Sequence, residues 1–568
     1  MGILSGDHDS RVSGRPLTWR TVDLALLATC LVLVIWYAGI GYLDRPESRI
    51  RGTDSIGYYV YLPSVFIDGD IDLANNFRYL GGDDIYLFPG IENRTGNIFS
   101  VGPALFWAPW FAIGHLTAAL LGYETDGYSG PYQLSVYLGN FCYVVLGVLC
   151  LPRIARSFGF TPIVALLATL SLLLATQLTY YILPKSATSH GLSFAAMGAF
   201  LLSIRQSGNT WRAGLFGGIA ALIRWQNILF VPALAVVAHL DRHGPRVTAH
   251  HLRAALPFAG FVVLPLLPQI VFWQYAYGVP FLIPQRQGYL DPTRLPILQV
   301  LFSLRHGLMS WHPWWLLAIA GLLRHRQDRR WTLAVLLCLV AQVVLNAMVK
   351  DWWGNWSFGN RRFLNALPLC TVGACVVYTH FRGTVGGRFL VGTAVLLVLW
   401  NQAFVFQYQR GLIPRSESPT ATEVFSDKLR LGTVWETQLA VNTAVNSFRR
   451  DDFDNYVRFA KQAHDLYPGY RNALKVHAVV AAVQGELSKA MLDYEKWLAI
   501  EPKSIAAMWG IADISLKTGQ VEEARRLIRN LGVSDEETDS ALSSGQGTLL
   551  TRSFFIQYLK ELDQIYLQ

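Results

Sequence analysis

The feature that most constrains this chain is a succession of apolar runs of about bilayer length. The first extends from Trp19 to Leu43; others lie near 132–151, 162–182, 190–204, 213–225, 227–240, 254–277, 306–323, 331–349, 363–381 and 389–407. A hydrocarbon core of about 30 Å takes roughly 20 apolar residues per helix. No water is present there to satisfy backbone groups, so such runs fold as helices that close their own hydrogen bonds. Composition agrees: 52% of the 568 residues are hydrophobic and only 15% charged, against about 25% charged in soluble domains, and mean hydropathy is +0.30. The net charge of +9 is dispersed through loops. No basic stripe tracks a nucleic-acid backbone, so no nucleic-acid partner is expected. Cys30, Cys142, Cys150, Cys338, Cys370 and Cys375 all fall inside apolar runs, which argues against a disulfide framework or a zinc site.

The run from Val101 to Leu121 decides the topology, because hydropathy alone would let it span. If it lies flat at the interface, the connections holding Arg153/Arg156, Arg205/Arg212, Arg242/Arg246/Arg253, Arg324/Arg326/Arg329/Arg330 and Arg382/Arg388 all fall on the cytoplasmic side, as the excess of basic residues in inner loops requires. Pro103, Pro109 and His115 also suit an interfacial helix. The expectation is an all-α polytopic membrane protein with about eleven spans: a cytoplasmic N-terminus over 1–18, a transmembrane domain over 19–407 and a C-terminus outside. The long segment 44–131 then becomes an outer loop, joined by shorter outer loops at 183–189, 278–305 and 350–362. Runs 213–225 and 227–240 are short and read as a tight hairpin with Arg224 and Gln226 near its tip.

Beyond Pro414 the hydrophobic density drops and charges balance, which marks a soluble module. Pro468 and Pro502, Gly485 and Gly519, and Ala490 and Ala524 each stand 34 residues apart. That interval, with a Gly turn, a small Ala and a closing Pro, resembles the tetratricopeptide repeat. A linker is expected over 408–449 and a helical-repeat domain over 450–568, with a protein partner for it. A generic helical-hairpin domain would bury the same faces.

The outer loop begins RGTDSIGYYVYLPSVFIDGDIDL. Residues 56–67 fit an amphipathic helix lying on the membrane, with Asp54 at its start, where a carboxylate also serves as a cap. The cluster Asp68, Asp70 and Asp72 reads as a turn around Gly69, as a cap for the following segment, or as a divalent-cation site. No metal ligand set is assigned. The outer loops carry cations: Arg286, Arg305-His306, Lys350 and Arg361-Arg362. Headgroup anchoring explains such residues at any interface, but several loops converging on one leaflet also suit a lipid phosphate. Asp351 reads as the salt-bridge partner of Lys350. Arg224, inside an apolar run, is a functional candidate or a snorkelling cation, and Lys185 and His190 in LPKSATSHG flank the same cavity.

A first span, an outer loop with Asp54 before Tyr58/Tyr59, then Gly69-Asp70, then a Pro-containing helix resembles the GT-C glycosyltransferases over roughly 19–407. The protein O-mannosyltransferases and lipid A aminoarabinose transferases have the nearest architecture. In those families the loop reads Asp-Glu, Tyr, Gly-Asp, then Lys-Pro-Pro. Here Ser55 replaces the Glu, and Val101-Gly102-Pro103 stands where Lys-Pro-Pro would be, so another cation must meet the phosphate. The resemblance implies a sugar carried on a polyprenyl phosphate, a lipid, glycan or protein acceptor hydroxyl, inversion at the sugar, and Asp54 as general base, in a bacterial inner or plasma membrane. It implies no certain cofactor; relatives differ on a divalent cation. A phosphate leaving group needs no general acid, so one carboxylate suffices where a glycosidase uses two. Two other classes remain: a transporter or flippase of lipid-linked sugar lined by Arg224 and the outer cations, and a non-catalytic scaffold presenting the repeat.

Overall fold

The computed structural model describes residues 17–39, 50, 52–81, 88–182, 187–206, 210–244, 249–283, 288–381, 383–415 and 417–531. The chain divides into two compact units, Met1–Gln402 and Ala403–Gln568. Among the described residues the fold is all-α except for one two-residue ribbon, Phe88–Pro89 paired antiparallel with Thr95–Gly96.

Among the described residues, seven helical segments are long and apolar enough to cross a membrane: Trp19–Trp36, Gly102–Leu121, Gly130–Ser157, Ala255–Tyr277, Arg329–Met348, Arg361–Phe381 and Val385–Gln409. Four more are apolar but shorter, Pro162–Leu174, Thr210–Ile223, Trp225–Asp241 and Trp314–Arg324. The shortness has a local cause in the second and third of these. Arg224 adopts an extended backbone, φ −145° and ψ 108°, which ends helix Thr210–Ile223 after 14 residues, only about 21 Å of rise.

Helix Gly102–Leu121 qualifies as a span by length and composition, and it packs antiparallel against Gly130–Ser157. Gly114 faces the Tyr132 backbone, Gly139 faces the Trp110 indole, and the Tyr143 hydroxyl donates to the Phe106 carbonyl at 2.9 Å. A side chain at Gly139 would place its Cβ 2.4 Å from the Trp110 ring, so glycine is required for this approach. The turn at 122–129 is tied back to the first loop by the Tyr59 hydroxyl, which donates to the Gly127 carbonyl at 2.6 Å. At the far end of Gly130–Ser157, Arg153 pairs with Asp23 at 2.9 Å and Arg156 covers the Trp19 ring. The turn after Leu121 and the segment around Tyr59 thus share one end of that helix, and the start of Trp19–Gly39 lies at the other.

The segment 56–67 is not one amphipathic surface helix; its greater part is interior, and exposed residues begin at Val65 and Phe66. Helix Thr53–Tyr59, the short turn Tyr61–Pro63 and the wider turn Ser64–Asp68 leave residues 55–64 all buried. The alternation of Tyr with apolar residues that reads as amphipathic is instead an interior surface, because each phenol finds a partner: Tyr58 accepts from Ser189 Oγ, Tyr59 donates to Gly127 and Tyr61 donates to the Phe99 carbonyl at 2.8 Å. Buried hydroxyls demand such partners.

In the second unit, 408–449 folds where a linker is expected. Thr420 and Glu423 form a reciprocal capping box, and helix Leu431–Arg449 buries Val434, Val441, Ala444 and Val445. Its polar Thr, Gln and Asn residues mask an apolar stripe at helical spacing. Helices Phe453–Leu466, Arg471–Val483, Leu487–Ile500, Ile505–Lys517 and Val521–Asn530 follow as hairpins, with the first, third and fifth starting 34 residues apart. Gly485 and Gly519 close equivalent turns at φ +76° and +78°, where side chains are strained. Ala490 and Ala524 are fully buried, as is Trp497, whose indole donates to Glu501 at 3.0 Å. Residues 532–568 lie outside the described residues.

Candidate functional site

Four short segments of the first unit converge around Asp54. Helix Thr53–Tyr59 begins after Gly52, at φ +86°, a backbone conformation suited to glycine. No side chain caps this helix, so the carboxylate of Asp54 in its first turn is turned to another use. Its Oδ2 lies 3.0 Å from Arg361 Nη2 and 4.0 Å from His190 Nε2. The helix is fixed by Asn97, whose amide donates to the Gly57 carbonyl at 2.7 Å, and by the close approach of the Phe99 ring to Gly57, where a Cβ would lie 2.0 Å away.

Arg224 sits at the helix break, part-buried, and its polar groups reach one side of the same cluster. Nη1 donates to Ser189 Oγ at 3.0 Å and meets His190 Nε2 at 3.4 Å, while Nη2 donates to Gln226 Oε1 at 3.1 Å. Among the described residues its buried Nε has no hydrogen-bond partner. Ser189 Oγ in turn donates to the Tyr58 hydroxyl at 2.8 Å. Rings of Phe99 and Trp107 stand edge-on to Tyr58, at 5.1 and 6.3 Å. The result is one carboxylate and two guanidiniums, with an imidazole between Arg224 and the carboxylate, walled by aromatic side chains.

The adjacent arginines part company. Arg361 faces Asp54, whereas Arg362 pairs with Asp351 Oδ1 at 2.8 Å, donates to the Asp351 carbonyl at 2.6 Å and reaches Asn346 and Tyr289. Asp351, expected to pair with Lys350, takes Arg362 instead, because the turn before Gly354 carries the carboxylate back under the 3-10 helix Arg361–Cys370. Lys350 is exposed, and its backbone N–H donates to the Tyr289 carbonyl at 2.9 Å. Arg305 lies over the Trp353 ring at 4.1 Å. His306 is buried, with Nδ1 at 2.8 Å from the Trp353 carbonyl, and so braces the 350–360 loop. Arg286 and Lys185 lie outside the described residues.

The acidic cluster is a hydrogen-bonded turn. Asp68 Oδ2 accepts from Asn75 at 3.0 Å and Asn76 at 2.8 Å. Asp70 Oδ1 accepts from Ser64 Oγ at 3.0 Å and from the Asp72 N–H at 3.1 Å, and Asp72 Oδ1 accepts from the Ala74 N–H at 3.2 Å. The three carboxylates thus serve three different sets of local donors. Of the cations singled out in the sequence, Arg224 and Arg361 come together around Asp54, and Arg362, Arg305 and His306 buttress the neighbouring loop. Ser189 carries only a faint signal in the sequence, a polar Ser-His pair opening an apolar run.

The helices define a multi-pass integral membrane protein. No protein-family model matches the chain, and no curated protein matches it. Among solved structures it is similar to ArnT from Cupriavidus metallidurans in the apo state, with a TM-score of 0.44 and 15% identity over 86% of this chain and 79% of that one. It is similar also to the same protein bound to undecaprenyl phosphate, with a TM-score of 0.43, 15% identity and the same coverage.

Proposed function

We infer that the chain is a membrane glycosyltransferase that takes a sugar from a polyprenyl-phosphate donor, with Asp54 as general base. The observation that carries this reading is the single carboxylate held between Arg361 and His190, with Arg224 beside them in an aromatic-walled site. In the reaction an acceptor hydroxyl oxygen bonds to the anomeric carbon while the bond from that carbon to the phosphate oxygen breaks. The electron pair leaves with the lipid phosphate, and the hydroxyl proton passes to Asp54. Arg224 and Arg361 offset the charge on the phosphate in a water-poor site, where guanidinium forks are most effective. The contact between Tyr59 and Gly127 supports one shared compartment for the Asp54 segment and the turn after Leu121, and the charge bias of the remaining loops favours the outer one. The C-terminal hairpins, of tetratricopeptide spacing, serve as a partner-binding module.

The test is incubation of the purified protein in liposomes with radiolabelled polyprenyl-phosphate sugar and a panel of lipid and glycan acceptors. Transfer of label, lost in Asp54→Asn, is the expected result. Movement of the donor across the bilayer with no transfer would favour a flippase and overturn the reading.

A further inference from the structure

The C-terminal unit contains a side-chain cluster that sugar transfer does not use. His464 on helix Phe453–Leu466, His477 on Arg471–Val483 and Asp493 on Leu487–Ile500 bring one donor atom each to within 4.8 Å of one another. His477 Nδ1 is 2.6 Å from Asp493 Oδ2 and His464 Nδ1 is 3.8 Å from the same oxygen. The two imidazoles stack with ring centres 3.9 Å apart, and Asp493 is 3% exposed.

A plain histidine–carboxylate hydrogen bond accounts for His477 and Asp493 but leaves His464 unexplained. Among the described residues its buried Nδ1 has no hydrogen-bond partner, and 3.8 Å from the carboxylate is too far for a hydrogen bond. We propose that His464, His477 and Asp493 bind one divalent transition-metal cation of the zinc class, with water as the fourth ligand. Two imidazoles and one carboxylate form a ligand set of the kind such ions take. Bonds of about 2.0–2.2 Å in a tetrahedron place donors roughly 3.3–3.6 Å apart, and the observed 2.6 and 3.8 Å bracket that edge. Closing the site turns the two rings out of their stack, which stands at an interplanar angle of 21°, so that both lone pairs converge, and draws in donors that lie within 4.8 Å of one another. An ion here would tie three successive helices of the repeat together. A cysteine count cannot detect a site of this composition.

The experiment uses the full-length protein in detergent, without a polyhistidine tag, stripped with chelator and then titrated with Co2+ or Zn2+. The expected result is one equivalent of tightly bound metal, a visible absorption band of four-coordinate Co2+, and a melting temperature of the C-terminal unit that rises with free metal. His464→Gln, which spares the His477–Asp493 hydrogen bond, should keep the far-ultraviolet circular dichroism and lose both the band and the melting shift. Wild-type protein that binds no more metal than His464→Gln, or Co2+ that keeps the spectrum of the hydrated ion, would overturn the proposal without bearing on sugar transfer. The Co2+ spectrum of the wild type decides the matter even if the variant fails to fold.

Discussion

Replacing Asp54 with Asn separates two effects that a simple loss-of-base argument merges. Asparagine keeps an oxygen for Arg361, so the 3.0 Å contact can persist as a neutral acceptor. It cannot take the acceptor proton. Loss of a general base lowers turnover by ~10²–10⁴-fold, about 3–5 kcal/mol of barrier. Donor binding should move the other way. In the resting site Asp54 occupies the guanidinium that an incoming phosphate would engage. A phosphate oxygen on that fork would sit about 5 Å from the carboxylate, where two like charges repel by ~3 kcal/mol at an effective dielectric of 20. Arg224 and residual water screen part of this, leaving ~1–2 kcal/mol, or about 5–30-fold tighter binding of the lipid phosphate to Asp54→Asn. Single-turnover transfer of radiolabel measures the first effect, and equilibrium binding of polyprenyl phosphate in detergent measures the second. Turnover within about threefold of wild type would remove Asp54 as base. Affinity weakened tenfold or more would mean that the carboxylate organises Arg361 for the phosphate and does not compete with it.

Arg224→Gln should lower transfer by ~10²–10³-fold, the usual cost of removing one preorganised donor, with Arg224→Lys recovering part of it in the same single-turnover assay. Gly57→Ala should cost about 1–3 kcal/mol by overpacking, because its Cβ would meet the Phe99 ring at 2.0 Å; a thermal-stability assay in detergent reads this as a lower melting temperature. In the C-terminal unit, burial raises the Glu501 carboxyl, but Lys475 at 2.8 Å and Arg471 at 3.2 Å win and hold it below its ordinary 4.5. A carboxyl depressed in the folded state contributes stability that is present above pH 4.5 and lost as pH falls through its folded value. Glu501→Gln should therefore cost ~3–5 kcal/mol at neutral pH and flatten the acid limb of the melting curve. A cysteine at the exposed Thr125 should react with an impermeant maleimide from the outer side; labelling only from the cytosol would separate Asp54 from its assigned compartment.

Much of the membrane unit was legible because hydropathy has a length scale and bilayers impose it. What hydropathy could not see was packing. The run 102–121 is long and apolar enough for a span, but its pairing with Gly130–Ser157 at Gly114, Gly139 and Tyr143 is written in no hydropathy value. The Tyr-rich segment misled for a related reason: aromatic residues with polar tips suit a membrane interface and a hydrogen-bonded interior equally well. At the site, residue types were readable but pairings were not. Arg361 and Arg362 are indistinguishable as letters, and only the turn through Gly354 and Gly359, at φ +79° and +58°, decides which one meets Asp54 and which meets Asp351. In the tail the 34-residue spacing was legible from Gly and Ala, whereas helix Leu431–Arg449 carries no such marker.

The resting pair between Asp54 and Arg361 makes electrostatic sense on the proposed reaction. Two part-buried guanidiniums without a counter-charge would be costly in an apolar unit. Asp54 offsets one of them, leaving Arg224, Arg361 and Asp54 with one positive charge in excess. A sugar phosphodiester brings one negative charge, so the loaded site is balanced. When the sugar departs, the phosphate becomes a monoester and gains a second negative charge. At the same step Asp54 takes the acceptor proton and becomes neutral, so Arg361 is no longer offset by it. The site therefore gains positive charge as the leaving group gains negative charge, and the field is stronger for the transition state than for the bound donor. That difference, rather than tight binding of the donor, lowers a barrier.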